Sequence, residues 1–151
     1  MSEFDRSKTL QELEGEDWGE PEFESHVVAN AHRLHRIPLC EFTVEDLRFM
    51  IGQQCGLRYL IPIALERLHV DPLIEGECYP GDLLSAVLRA DSRFWVASPE
   101  LRAGASRVAE RALSLLSTLD ETEREIAEEA VREAHDIFQR AEYFARHGRA
   151  N

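Results

Sequence analysis

Apolar residues recur along this chain at steps of three and four, the period of a helix with one buried face. Val44, Leu47, Met50 and Ile51 form such a face behind Thr43 and Asp46, which have the spacing of a capping box, and Gly52 interrupts it. Leu57 to Leu60 lead into Pro62, whose fixed φ suits the first turn of a helix carrying Ile61, Ala64, Leu65 and Leu68 up to Asp71-Pro72. Tyr79-Pro80-Gly81-Asp82 opens another, with Leu83, Leu84, Val87 and Leu88 inward, and Pro99 opens a longer one through Leu101, Ala105, Val108, Ala112, Leu115 and Leu119.

Asp120 with Glu123 restarts the pattern for a final helix. Ile126, Ala130, Ala134, Ile137, Ala141 and Phe144 make its apolar stripe, its other face is charged, and Gly148 is its stop. Upstream, Ser25 caps a helix over His26–Arg36, with Pro38 after its end, and Thr9–Glu14 forms one turn closed by Gly15. No alternation of apolar and polar residues lasts more than a few positions, so strands are not expected. The predicted fold is all-α: a compact single-domain bundle of six or seven helices spanning residues 1–151. It has an acidic N-terminal segment (1–25) and a long C-terminal amphipathic helix (120–148).

Composition refines this picture. The 151 residues are 44% hydrophobic, enough for a real core, and no apolar run approaches the roughly 18 residues of a membrane span. The acidic N-terminus does not read as a signal peptide, so a cytoplasmic location is expected. Cys40, Cys55 and Cys78 are odd in number and lie among apolar residues, which predicts reduced, partly buried thiols and no zinc spacing.

The net charge of -12 is uneven. Residues 1–30 carry nine acids and two bases, residues 31–119 eleven and ten, and residues 120–151 nine and five. Both ends are acidic and the middle nearly neutral, which disfavours nucleic acid and anionic membranes and favours a basic partner. The densest stretch, LQELEGEDWGEPEFES (Leu10–Ser25), has seven carboxylates and no base in sixteen positions. Trp18 and Phe23 lie within it, either as apolar anchors for a partner or, for Trp18, as a pin holding the segment to the helices.

Signals for catalysis are weak. There is no P-loop or GxGxxG motif, and Gly52 and Gly56 around Gln53-Gln54-Cys55 read as a helix break. His32 and His35 lie one turn apart, but with no third ligand nearby and with Arg33 and Arg36 beside them they make a poor metal site. Cys55 lacks a local nucleophile signature, and Glu121, Glu125, Glu128, Glu129 and Glu133 read as a solvated helix face. Neither catalysis nor a cofactor or metal is expected.

Several runs, in order, carry a resemblance: LEGEDWGEPEFESH (Leu13–His26), EFTVEDLRFMIGQQCGL (Glu41–Leu57), ALERL (Ala64–Leu68), DPL (Asp71–Leu73), YPGDLLSAVLR (Tyr79–Arg89) and Phe94-Trp95. Together they resemble the immunity proteins of bacterial contact-dependent growth inhibition systems, over roughly residues 8–118. The resemblance implies a helical cytoplasmic protein that binds and neutralises the C-terminal toxin domain, often a nuclease, of an effector delivered by a neighbouring cell. The expected toxin-binding residues are Glu14, Glu16, Asp17, Trp18, Glu20, Glu22 and Glu24, on a chain that is monomeric when free. Two rival readings remain: an adaptor or structural protein pairing through its C-terminal helix, and a small metal-dependent enzyme or regulator using His32, His35 and nearby carboxylates.

Overall fold

A computed structural model describes residues 4–22 and 25–147, with only the backbone for 144–146. Phe23, Glu24 and Gly148, and the side chain of Phe144, therefore lie outside the described residues. The chain folds as α1 (Leu10–Glu14), α2 (His26–His35), α3 (Val44–Gly52), α4 (Leu57–Val70), α5 (Asp82–Leu88), α6 (Ser92–Ala97), α7 (Pro99–Leu115) and α8 (Glu121–His147). Short 3-10 turns at Leu39–Glu41 and Leu116–Thr118 complete it, and a lone antiparallel bridge between Glu75 and Pro80 is the only β pairing among the described residues. The fold is all-α. None of the described helices is long and apolar enough to cross a membrane.

Most ends lie where the sequence placed them. Thr9 with Glu12 and Thr43 with Asp46 form reciprocal capping boxes, Ser25 caps α2 and Pro99 sits at the start of α7. Asp120 accepts the Glu123 N–H at 2.8 Å at the start of α8. The described residues form eight α-helices, against the six or seven expected; the unforeseen one is α6, six residues long, behind Asp91, which accepts the Arg93 N–H at 2.8 Å. So short a segment offers too few positions for a period to show. Pro62 lies inside α4 instead of in its first turn, because α4 begins at Leu57 behind Gly56. Its missing N–H removes the hydrogen bond it would otherwise give to the carbonyl one turn earlier, that of the exposed Arg58. The thiols also differ from expectation, since Cys40 and Cys78 are exposed and only Cys55 is half-buried.

Every residue of α5 is buried. It packs against α3, α4, α7 and α8, which explains a sequence apolar almost all round. Gly81, at φ +88°, lets the chain enter α5 in a left-handed conformation, and a Cβ there would come within 2.9 Å of Val131 on α8. The first residue of α5, Asp82, is 2% exposed and accepts backbone N–H groups from Gly76 at 2.7 Å and Cys78 at 2.9 Å. Glu45 on α3 accepts the Glu77 N–H at 2.9 Å and is paired with Arg48, whose Nε stands 4.0 Å from Asp82. This knot ties the loop before α5 to α3. Gly76 sits so tightly in it that a Cβ would lie 2.7 Å from Glu45 and 3.1 Å from Asp82.

α8 departs most from the sequence reading. Its buried stripe is Ala127, Val131, Ala134, Phe138 and Ala141, turned by roughly 60° from the predicted one. Ala134 and Ala141 belong to both. Ile126 is 54% exposed, and Ala130 and Ile137 are half-buried at the margin. Phe138 decides the rotation by standing edge-on to the fully buried Trp95 of α6, with ring centroids 5.2 Å apart.

This packing predicts opposite outcomes for two large side chains of one helix. Phe138→Ala should lower the unfolding free energy by about 3–5 kcal/mol and Ile126→Ala by less than about 0.5 kcal/mol in urea titrations. Similar losses at both positions would contradict the rotated stripe.

The knot predicts a pH dependence. The hydrogen bond from Arg48, seconded by the Glu77 N–H, holds the Glu45 carboxyl below its usual range against the opposing effect of burial. A carboxyl with a lowered native value stabilises the fold above its unfolded value, about 4.3, and loses that contribution as pH falls through the native value. Unfolding free energies measured from pH 6 to pH 3 should therefore fall less steeply for Glu45→Gln than for the unaltered chain. Parallel profiles would remove Glu45 from the acid response.

Candidate functional site

The described part of the acidic segment after α1, residues 15–22, lies against α2, held by His32 and His35 and by Arg36 at the helix end. Trp18 stacks on His35 with ring centroids 3.8 Å apart and planes 9° from parallel, and meets the edge of His32 at 5.2 Å. His35 is 1% exposed, and its Nε2 lies 2.8 Å from Glu14. A carboxylate only accepts, so Nε2 carries the hydrogen. By the same reasoning His32 donates from Nδ1 to the Gly19 carbonyl at 3.1 Å. Arg36 donates to that carbonyl at 2.7 Å and reaches Glu20 at 3.4 Å and Asp17 at 3.7 Å. Asp17 also accepts the Gly19 N–H at 2.8 Å.

Six of the seven residues singled out from the sequence are thus placed; Glu24 lies outside the described residues. Trp18 is half-buried and packed on His35, the contact that its role as a pin requires. The Glu14 side chain is 26% exposed beside His35, whereas Asp17 at 68% and Glu20 at 87% face solvent despite Arg36. Glu16 and Glu22 are exposed, with no ion pair among the described residues. The segment is therefore a fixed ledge carrying carboxylates outward, and opposite charge offsets only part of them. Sequence reasoning missed His32, His35 and Arg36 as its supports. The two histidines, one turn apart on α2, read in the sequence only as a weak metal pattern, with Arg36 just beyond them opposing it.

The structure gives those histidines separate partners, the Gly19 carbonyl for His32 Nδ1 and Glu14 for His35 Nε2, with the indole packed against both rings. Glu45, Cys78 and Asp82 do bring ligand atoms within 4.8 Å of one another. There the Arg48 guanidinium takes a cation's place, and Asp82 is already engaged by backbone donors. Burial, followed by the Glu14 charge, pushes the Cys55 thiol up, away from the thiolate a nucleophile needs.

Removing the pin should loosen the ledge. Trp18→Ala is expected to lower the unfolding free energy by about 2 kcal/mol, less than full burial would give because the ring is half-covered. A change below about 0.5 kcal/mol in urea denaturation would show that the stacking does not support the fold.

Neither the comparison with curated proteins nor that with solved structures gives a match. Comparison with family models does. Residues 12–105 match the family described as CDI immunity proteins, a span from α1 into α7 that includes the acidic ledge, α2 and the Asp82 knot. Covering well over half of the chain, and agreeing with the ordered motifs from Leu13 to Trp95, this match places the chain in the family of contact-dependent growth inhibition immunity proteins.

Proposed function

We propose that the chain binds, one to one and without catalysis, the C-terminal toxin domain of its cognate contact-dependent growth inhibition effector, and that this domain is a nuclease with a basic cleft. The protein acts in the cytoplasm as a monomer, needs no cofactor, and binds neither nucleic acid nor membrane. Glu14, Glu16, Asp17, Glu20, Glu22 and Glu24 face the basic rim of the cleft where substrate phosphates would lie, and Trp18 adds an apolar anchor beside them while holding the backbone that presents them. A complex of ordinary size buries about 1,600 Å² in total, well within the reach of a chain this long.

One observation carries this reading: a strongly acidic segment of a family member is fixed on α2 with several carboxylates directed to solvent. A held ledge loses little conformational entropy on binding, and its charge accelerates encounter with a basic surface. The adaptor reading draws less support, because the stripe of α8 that would pair with a partner is occupied by α5, α6 and α7.

The test replaces Glu16, Asp17, Glu20 and Glu22 by Gln, Asn, Gln and Gln, preserving shape while removing four charges. Exposed carboxylates each contribute under about 1 kcal/mol to folding, so the melting temperature should hardly move. Close charge pairs at interfaces couple by more than about 1.5 kcal/mol, so affinity for the toxin domain should fall more than roughly a hundredfold. In the unaltered chain, added salt should slow association much more than it speeds dissociation. Unchanged affinity in the fourfold variant would exclude these carboxylates from the interface.

A further inference from the structure

The ledge holds a cation among the carboxylates that it turns to solvent. Arg36, the residue after α2, is the only arginine or lysine that pairs with the segment among the described residues. Arg33, three residues earlier, is turned to Asn30, at 2.7 and 3.1 Å, and to Asp46 on α3 at 3.8 Å. The contacts of Arg36 are unequal. Its Nη2 donates to the Gly19 carbonyl at 2.7 Å, a full hydrogen bond, whereas Nη1 stands 3.4 Å from Glu20 and Nη2 3.7 Å from Asp17. Both carboxylates lie mostly in solvent, and 41% of the arginine side chain is exposed with them. Ion pairs that long and that exposed add little to stability.

The backbone of the ledge does not need that charge. The Gly19 carbonyl, with two lone pairs, also accepts from His32 at 3.1 Å, Asp17 accepts the Gly19 N–H at 2.8 Å, and Trp18 is stacked on His35. The guanidinium therefore contributes one hydrogen bond that has a companion, and a positive charge that the hold does not use. On a surface that is to meet a basic cleft, such a charge acts against binding. It weakens the local field, and Asp17 and Glu20 must exchange one cationic partner for another. A repulsive element of this kind confers specificity, because a poorly matched basic surface cannot displace the resident cation and a well-matched one can.

We infer that Arg36 is a specificity-determining residue of the ledge, an internal cation that occupies Asp17 and Glu20 in the free chain and yields them to basic groups of the toxin domain on binding. The inference rests on the toxin-binding reading and adds to it how the ledge selects its partner. Glu16 and Glu22, exposed and without an ion pair among the described residues, are open to a partner from the start, whereas Asp17 and Glu20 become so only as Arg36 lets go.

The probe is the C-terminal domain of the polypeptide encoded immediately upstream of this chain's gene, titrated calorimetrically against the full chain and its variants. Arg36→Gln and Arg36→Met, which remove the charge, should each bind at least about threefold more tightly and with a steeper dependence on salt. Arg36→Lys, which keeps the charge, should bind no more tightly than the unaltered chain. Glu20→Gln should cost more affinity in the Arg36→Gln background than in the unaltered chain, while Glu22→Gln costs the same in both. A support acting only through its bonds gives the opposite sign, since a loosened ledge binds less well. Weaker or unchanged binding by both neutral variants therefore overturns the inference and leaves the toxin-binding reading standing. Loss of folding in both has the same consequence, because it makes the charge part of the scaffold. No binding by the unaltered chain overturns the toxin-binding reading, and this role of Arg36 with it.

Discussion

The fold depends on one short helix with no solvent face. All seven residues of α5 are buried, and a helix so enclosed must have its polar groups satisfied from within the protein. Asp82 opens α5 and collects N–H groups from the loop that precedes it, while Arg48 and Glu45 bring α3 to the same point. The loop, the entry to α5 and α3 therefore form one polar unit, around which the apolar sides of α4, α7 and α8 close. Breaking one partner in such a knot leaves others buried and unpaired, which is why its members act together.

The acidic ledge obeys a different constraint. Crowding carboxylates into a segment without bases of its own repels them from one another, and only a neighbouring element can hold such a segment in place. α2 does so with three groups at its C-terminal end: His35 takes Glu14 and the face of Trp18, His32 takes the Gly19 carbonyl, and Arg36, the residue after the helix, bridges Asp17 and Glu20. Stacking and hydrogen bonds fix the backbone, while the long carboxylate side chains remain in solvent. The same residues thus hold the segment in place and carry its carboxylates into solvent.

α8 shows how a helix can be amphipathic in sequence and still be docked off its apparent axis. Its small and aromatic residues, Ala127, Val131, Ala134 and Phe138, fit against the crowded sides of α5 and α6, with Val131 close to Gly81 and Phe138 edge-on to Trp95. Close approach of the helices favours the ridge with alanines at its centre. The isoleucines, more hydrophobic but bulkier, are left at the margin beside the glutamates.

By itself the sequence determined the all-α class and most helix ends, because caps such as Thr43 with Asp46, breaks such as Gly52 and the apolar period from Val44 to Leu119 are local properties. It also located the acidic segment and supplied the motifs shared with the immunity family. Tertiary structure alone decided which ridge of α8 is buried, since a period fixes the existence of a face more firmly than its angle when apolar residues cover a wide arc. It likewise turned His32, His35 and Arg36 into supports for a segment up to 21 residues away in sequence, a pairing no spacing within α2 reveals. The packing of Trp18 on His35 was equally beyond the sequence, because burial belongs to the partner as much as to the residue.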